Sequence, residues 1–123
     1  MQLQQRQSDD IEFTITSVNP SPNSLEITAC GPAGRYGNVF CSWFLEGFNG
    51  NRGHGRGGGI GFLDDGQMLK GQGVGLWHRE GHKIVMKQLI DIDNGDQNLD
   101  VITIDMHTKL VLIRPFILET IDG

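Results

Sequence analysis

Residues 53–78 read GHGRGGGIGFLDDGQMLKGQGVGLWH, and the fold turns on them. Every odd position from Gly53 to Gly61 is glycine, and Gly71, Gly73 and Gly75 repeat the pattern after Asp64-Asp65-Gly66. A period of two belongs to the β-strand, whose successive side chains point to opposite faces. Asp-Gly between two such runs signals a hairpin. If Asp64-Asp65-Gly66 is the loop, Gly59 faces Gly71, Gly57 faces Gly73 and Gly55 faces Gly75. Two neighbouring strands then share one face of bare backbone. Such a face is costly in chain entropy and needs a purpose. Either the glycines allow strong coiling and accept large rings, or a flat ligand or another backbone lies on them. The first use is the expected one, with Trp43 and Trp77, both at odd positions, as the rings.

The same alternation continues on either side of this hairpin. Residues 11–18 alternate, Pro20-Ser21-Pro22-Asn23 interrupts, and Leu25, Ile27 and Ala29 resume before Gly31-Pro32-Ala33-Gly34. A run from Tyr36 to Phe48 ends at Asn49-Gly50-Asn51. Beyond residue 78 come runs over 82–92, 97–106 and 109–118, with turns at Arg79-Glu80-Gly81, Asp93-Asn94-Gly95-Asp96 and near His107-Thr108. No segment keeps the 3.6-residue period of a helix for three turns. The prediction is an all-β fold, an antiparallel up-and-down meander of about eight strands closing into a small barrel. In strand count and connection length this resembles small barrels of the lipocalin-like and allene-oxide-cyclase-like kinds, a likeness that transfers no functional residue. Residues 1–10 are expected to be a flexible polar N-terminus and 11–123 a single β-barrel domain.

Composition narrows the partners. The 123 residues suffice for one domain with its own core. The 37% hydrophobic and 20% charged residues are ordinary, whereas 18 glycines are about twice the usual share of roughly 7%. A net charge of −5 offers nothing to phosphate backbones or anionic membranes, so neither nucleic acid nor membrane is an expected partner. The polar start has no apolar core of a signal peptide, and no apolar run approaches the roughly 18 residues of a membrane helix. A cytoplasmic protein is expected, with Cys30 and Cys41 as reduced thiols buried as small apolar residues.

The even positions mix rings, aliphatics and a few polar groups, the usual lining of a small-molecule pocket. Phe40, Phe44 and Glu46 share one such face, His54, Arg56 and Phe62 the next, and Lys70, Gln72 and His78 the third. Carried through the turn at 79–81, the face continues to His82, Met86 and Gln88. Taken as the barrel lumen, it gives Phe44, Arg56, Phe62, Lys70, Gln72, Met86 and Gln88 as ligand-binding residues. Glu46 then pairs with Arg56 or His54, and the surplus of cations favours a small anionic organic ligand. The opposite assignment puts these charges outside, where Lys and Arg usually stand. The last two runs are apolar on both faces, which predicts a second buried surface and a homo-oligomer.

Specific chemistries are mostly excluded by context. Gly53-His-Gly55-Arg-Gly-Gly58 spells a dinucleotide motif but runs into a hairpin instead of a helix, so no cofactor is expected. His78 and His82 are candidate metal ligands across a turn, though two ligands rarely suffice. Asp91, Asp93, Asp96 and Asp100 lack calcium-loop spacing and read as a hairpin turn. Cys41 and Ser42 have no base placed beside them. The primary expectation is a small-molecule-binding barrel. The alternatives are a cofactor-free isomerase or cyclase using Glu46 with His54, its carboxyl raised by an aromatic pocket, and a homo-oligomeric interaction protein with a filled barrel.

Overall fold

A computed structural model describes residues 2–119; residue 1 of the expected N-terminal segment and residues 120–123 of the expected domain lie outside that range. Eight antiparallel strands, each bonded to the next and β8 to β1, form one closed barrel in meander order. They are β1 (Ile11–Ser21), β2 (Ser24–Pro32), β3 (Asn38–Glu46), β4 (Arg52–Phe62), β5 (Met68–Glu80), β6 (Lys83–Ile92), β7 (Gln97–Asp105) and β8 (Leu110–Glu119). A short 3-10 turn, Gly34–Tyr36, joins β2 to β3. Closure removes every sheet edge. Among the described residues no helix is long and apolar enough to cross a membrane.

The glycine hairpin forms in the expected register, with Gly59 opposite Gly71, Gly57 opposite Gly73 and Gly55 opposite Gly75. The bare face points inward. A side chain at Gly73 would run into the Leu89 carbonyl oxygen and lie 2.9 Å from Ile90 Cα, and one at Gly75 would meet the Lys87 carbonyl oxygen. The strands therefore approach too closely for anything but glycine. Trp43 lies over Gly57, its Cδ1 2.5 Å from where a Cβ would stand, and Trp77 Nε1 lies 3.0 Å from the same place at Gly53.

The inward face is thus the odd one through β3, β4 and β5, and the lumen expected at the even positions of these strands is their outer wall. The connection between β5 and β6 explains the difference. Glu80 pairs with Lys83, leaving only Gly81 and His82 in the turn, with Gly81 at φ 63°. A two-residue turn pairs odd positions with even ones, whereas the expected loop at 79–81 would have kept even with even. Gln88 therefore faces Gly75, and Met86 faces Trp77. A second change of parity joins Ile102 to Ile113 between β7 and β8.

The barrel is filled unevenly. At the end closed by the β3–β4, β5–β6 and β7–β8 turns, Leu45, Ile84, Met86, Ile104 and Val111 are fully buried, and Phe48 packs on Trp77 with ring centroids 4.9 Å apart. The other end, where β1 begins, is emptier.

Candidate functional site

Three levels can be followed along the lumen from its filled end. Trp77 Nε1 donates to the carbonyl oxygens of Glu46 (3.0 Å) and His54 (3.2 Å), locking its ring against the glycine strand. One level up, Trp43 Nε1 donates to Gln88 Oε1 at 3.2 Å, and Gln88 Nε2 donates to the Gly57 carbonyl at 3.2 Å. Gln88 is 1% exposed, so both ends of its amide need these bonds. Above this pair lies a cavity of about 90 Å³, walled by Phe13, Trp43, Ile90, Ile113 and Pro115 and by the backbone of Gly59, Gly61 and Gly71.

Asp100, on β7 opposite Gln88 and Pro115, sits in the wall of this cavity. The residue is half-buried as a whole, but its Oδ1 is closed off from solvent and has no hydrogen-bond partner. Burial pushes its carboxyl up to about 7, against the pull of the Arg6 guanidinium. Cys41 faces the same space. Burial drives its thiol up to about 12, helped by the charges of Cys30 and Asp100, and its Sγ points to the Ala29 carbonyl at 3.6 Å. That thiol is not an activated nucleophile.

A polar cluster stands at the mouth. Tyr36 donates its hydroxyl to Asp96 Oδ2 at 3.0 Å and accepts from Asn98 Nδ2 at 2.9 Å. Arg6 Nε donates to Asn98 Oδ1 at 2.6 Å, and Arg6 also pairs with Asp96 at 3.5 Å, both side chains being 2% exposed. Arg35 adds a 3.1 Å contact to Asp96. Burial lifts the Tyr36 hydroxyl to about 12, so it stays protonated and a donor. The segment carrying Arg6 is laid on β8: Arg6 N donates to the Pro115 carbonyl (2.7 Å), Ile117 N to that of Gln4 (2.9 Å), and Gln5 bridges Phe116.

Set against protein-family models, curated proteins and solved structures, the chain matches none. Its site is therefore read from its own residues.

The expected site residues divide by face. Glu46, His54, Arg56 and Phe44 do come together, with Glu46 3.3 Å from Arg56 and 3.8 Å from His54, and Arg56 over the Phe44 ring at 4.5 Å. They do so on the outer wall, where the Glu46 side chain is 42% exposed. Phe62, Lys70 and Gln72 are also exposed, Phe62 edge-on to Phe40 and Lys70 at the cavity rim. Met86 and Gln88 point inward, as expected, Met86 in the filled half and Gln88 beneath the cavity. The candidate metal pair is separated: His78 contacts Glu80 at 3.3 Å and His82 contacts Asp105 at 3.7 Å. Among the described residues no three His, Cys, Asp or Glu side chains group as metal ligands.

Sequence reasoning missed Arg6, Asn98 and Asp100 as site residues and put Asp96 and Asp100 into a hairpin turn. Asp96 does take part in that turn, its N–H donating to Asn94 Oδ1 at 2.9 Å. Its carboxylate, though, serves the cluster at the mouth. The signal available was the alternation Asn98, Asp100, Ile102, Ile104, which marks the lumen face of β7 once the turn at Gly81-His82 is counted as two residues.

Proposed function

We propose that this barrel binds a small organic molecule in the cavity between Trp43 and the Tyr36–Asp96 cluster. The observation that carries the reading is the pairing of an apolar cavity with one buried polar atom, Asp100 Oδ1, that the chain leaves unsatisfied. Buried acceptors ordinarily find a partner, and an apolar pocket with one convergent polar group is how small ligands are held and oriented. At about 90 Å³ the space suits a molecule far smaller than the roughly 300–1,000 Å³ of a drug-sized pocket. The anionic ligand favoured by the even-face assignment is replaced, because Arg56 is on the outer wall and the cavity presents a carboxyl.

A proton-transfer enzyme is the second reading, favoured by a carboxyl titrating near neutrality. It ranks below binding because Trp43, Gln88, Tyr36 and Asn98 each direct a donor to a protein acceptor, so no group is set to stabilise an oxyanion. Cytoplasmic residence fits the free thiols of Cys30 and Cys41. Native mass spectrometry against the denatured mass, with amide chemical shifts recorded during titration with toluene, tests the proposal. Retained mass or shifts centred on Phe13, Trp43, Ile90 and Ile113 are expected. No added mass, and no shift at these residues with either toluene or its hydroxyl-bearing analogue phenol, would overturn it.

A further inference from the structure

The chemistry of the cavity narrows the ligand, on the reading that the lumen is a binding site. Its walls are apolar, and one side is the bare backbone of Gly59, Gly61 and Gly71, a flat surface. A dry cavity of about 150 Å³ accepts benzene, so about 90 Å³ admits a single ring, and nothing larger, only as the walls adjust. In the carboxylate form the enclosed, unsatisfied Asp100 Oδ1 is an acceptor, which calls for a donor brought to it as the walls adjust.

Charge decides the rest. Arg6 from the N-terminal segment acts on Asp100 through its charge, while Cys41 of β3, Lys70 at the rim from β5 and Tyr36 line the same cavity; its neighbours on β6 and β8 are the uncharged Gln88 and Pro115. A cationic ligand would enter against Arg6 and Lys70. An anionic one would add to the charge of Asp100. We propose that the cavity takes a small uncharged ring bearing one hydroxyl or N–H, of which phenol is the simplest, lying on the glycine wall and donating to the Asp100 carboxylate.

The Asp100 carboxyl titrates near neutrality, so the donor preference depends on pH: a bond to the carboxylate is charge-assisted, and a bond to the protonated acid is not. The test titrates the full chain with phenol and with toluene, which has the same ring and no donor, at pH 8 and pH 5.5. Phenol is expected to bind on the order of tenfold more tightly at pH 8, with the advantage shrinking several-fold at pH 5.5. In D100N the phenol preference is expected to shrink while toluene still binds. By reciprocity, saturating phenol lowers the Asp100 midpoint, read from its side-chain carboxyl carbon shift. Toluene binding as well as phenol at both pH values overturns the donor assignment and leaves the lumen reading intact. Neither probe binding overturns both. If D100N does not fold, the pH comparison on the unmodified chain decides.

Discussion

Replacing Asp100 with Asn should stabilise the protein at pH 8 and do little near pH 4. The carboxyl stands at about 7 in the folded chain against an ordinary value of 3.8. Between these limits the folded state holds a proton that the unfolded chain releases, so stability falls as pH rises and levels off above the folded value. Three units at about 1.36 kcal/mol each set a ceiling near 4 kcal/mol. Asp100 keeps part of its surface in reach of solvent, so a gain of about 2–4 kcal/mol is expected at pH 8. With a urea slope of about 2 kcal/mol per molar, that moves the midpoint by roughly 1–2 M.

The assay is urea denaturation of both proteins at intervals from pH 4 to pH 8. Asp105, held below the usual carboxylate range mainly by the Thr108 N–H, acts in the opposite sense at lower pH. It is common to both proteins and cancels in the difference. A midpoint difference that stays constant across the range, or a wild type more stable at pH 8, would refute the placement of Asp100 in a desolvated lumen.

Four further outcomes are expected. Gly73→Ala should cost more than about 2 kcal/mol, because its Cβ meets the Leu89 carbonyl, whereas Gly58→Ala, facing outward with its closest neighbour 3.2 Å away, should cost under about 1 kcal/mol; thermal melts compare them. Arg6→Met should destabilise by about 3 kcal/mol by breaking a buried ion pair, and should raise the Asp100 midpoint in an NMR titration. Cys41→Phe puts a ring into the cavity and should add about 0.5–2 kcal/mol while abolishing toluene binding, as calorimetry would show. Val74, Leu76 and Leu89 are 64%, 70% and 55% exposed on the outer wall, so self-association is expected, and Leu76→Lys should weaken it; a wild-type monomer at all concentrations in sedimentation would refute this.

The barrel was legible because its signals are local. Alternation, Asp-Gly and Asn-Gly turns and the glycine ladder each define a strand or a connection without reference to the rest of the chain, and the β4–β5 register followed from one loop length. The lumen was less legible because a face is inherited through every turn between two strands. Counting three residues at 79–81 in place of two at Gly81-His82 reversed the inward face between β5 and β6. Gln88 and Met86 were placed on the lumen side, while Phe44, Glu46, Arg56 and Phe62, on the far side of that turn, were carried there with them. Arg6 was illegible for another reason: it lies 92 residues from Asn98 in sequence, and nothing local couples a polar N-terminus to the mouth of a barrel.

The glycine ladder and the cavity have one cause. Bare strands on one wall must be covered by large side chains, or the lumen stays open. Trp77 covers the ladder at Gly53 and Trp43 covers it at Gly57. Continuing along β3 toward the mouth, the next inward residues are Cys41 and Val39, which touch Gly59 and Gly61 beside them but carry no ring to spread over the bare wall as Trp43 does. The cavity therefore occupies the place of a missing third ring, beside the polar cluster at the mouth. Had the glycines served coiling alone, a large side chain at position 41 would have completed the core as Trp43 does one level below. The bare wall, the small residues beside it and the unsatisfied Asp100 Oδ1 coincide at one level of the barrel, and the proposed planar guest with a single donor would answer all three.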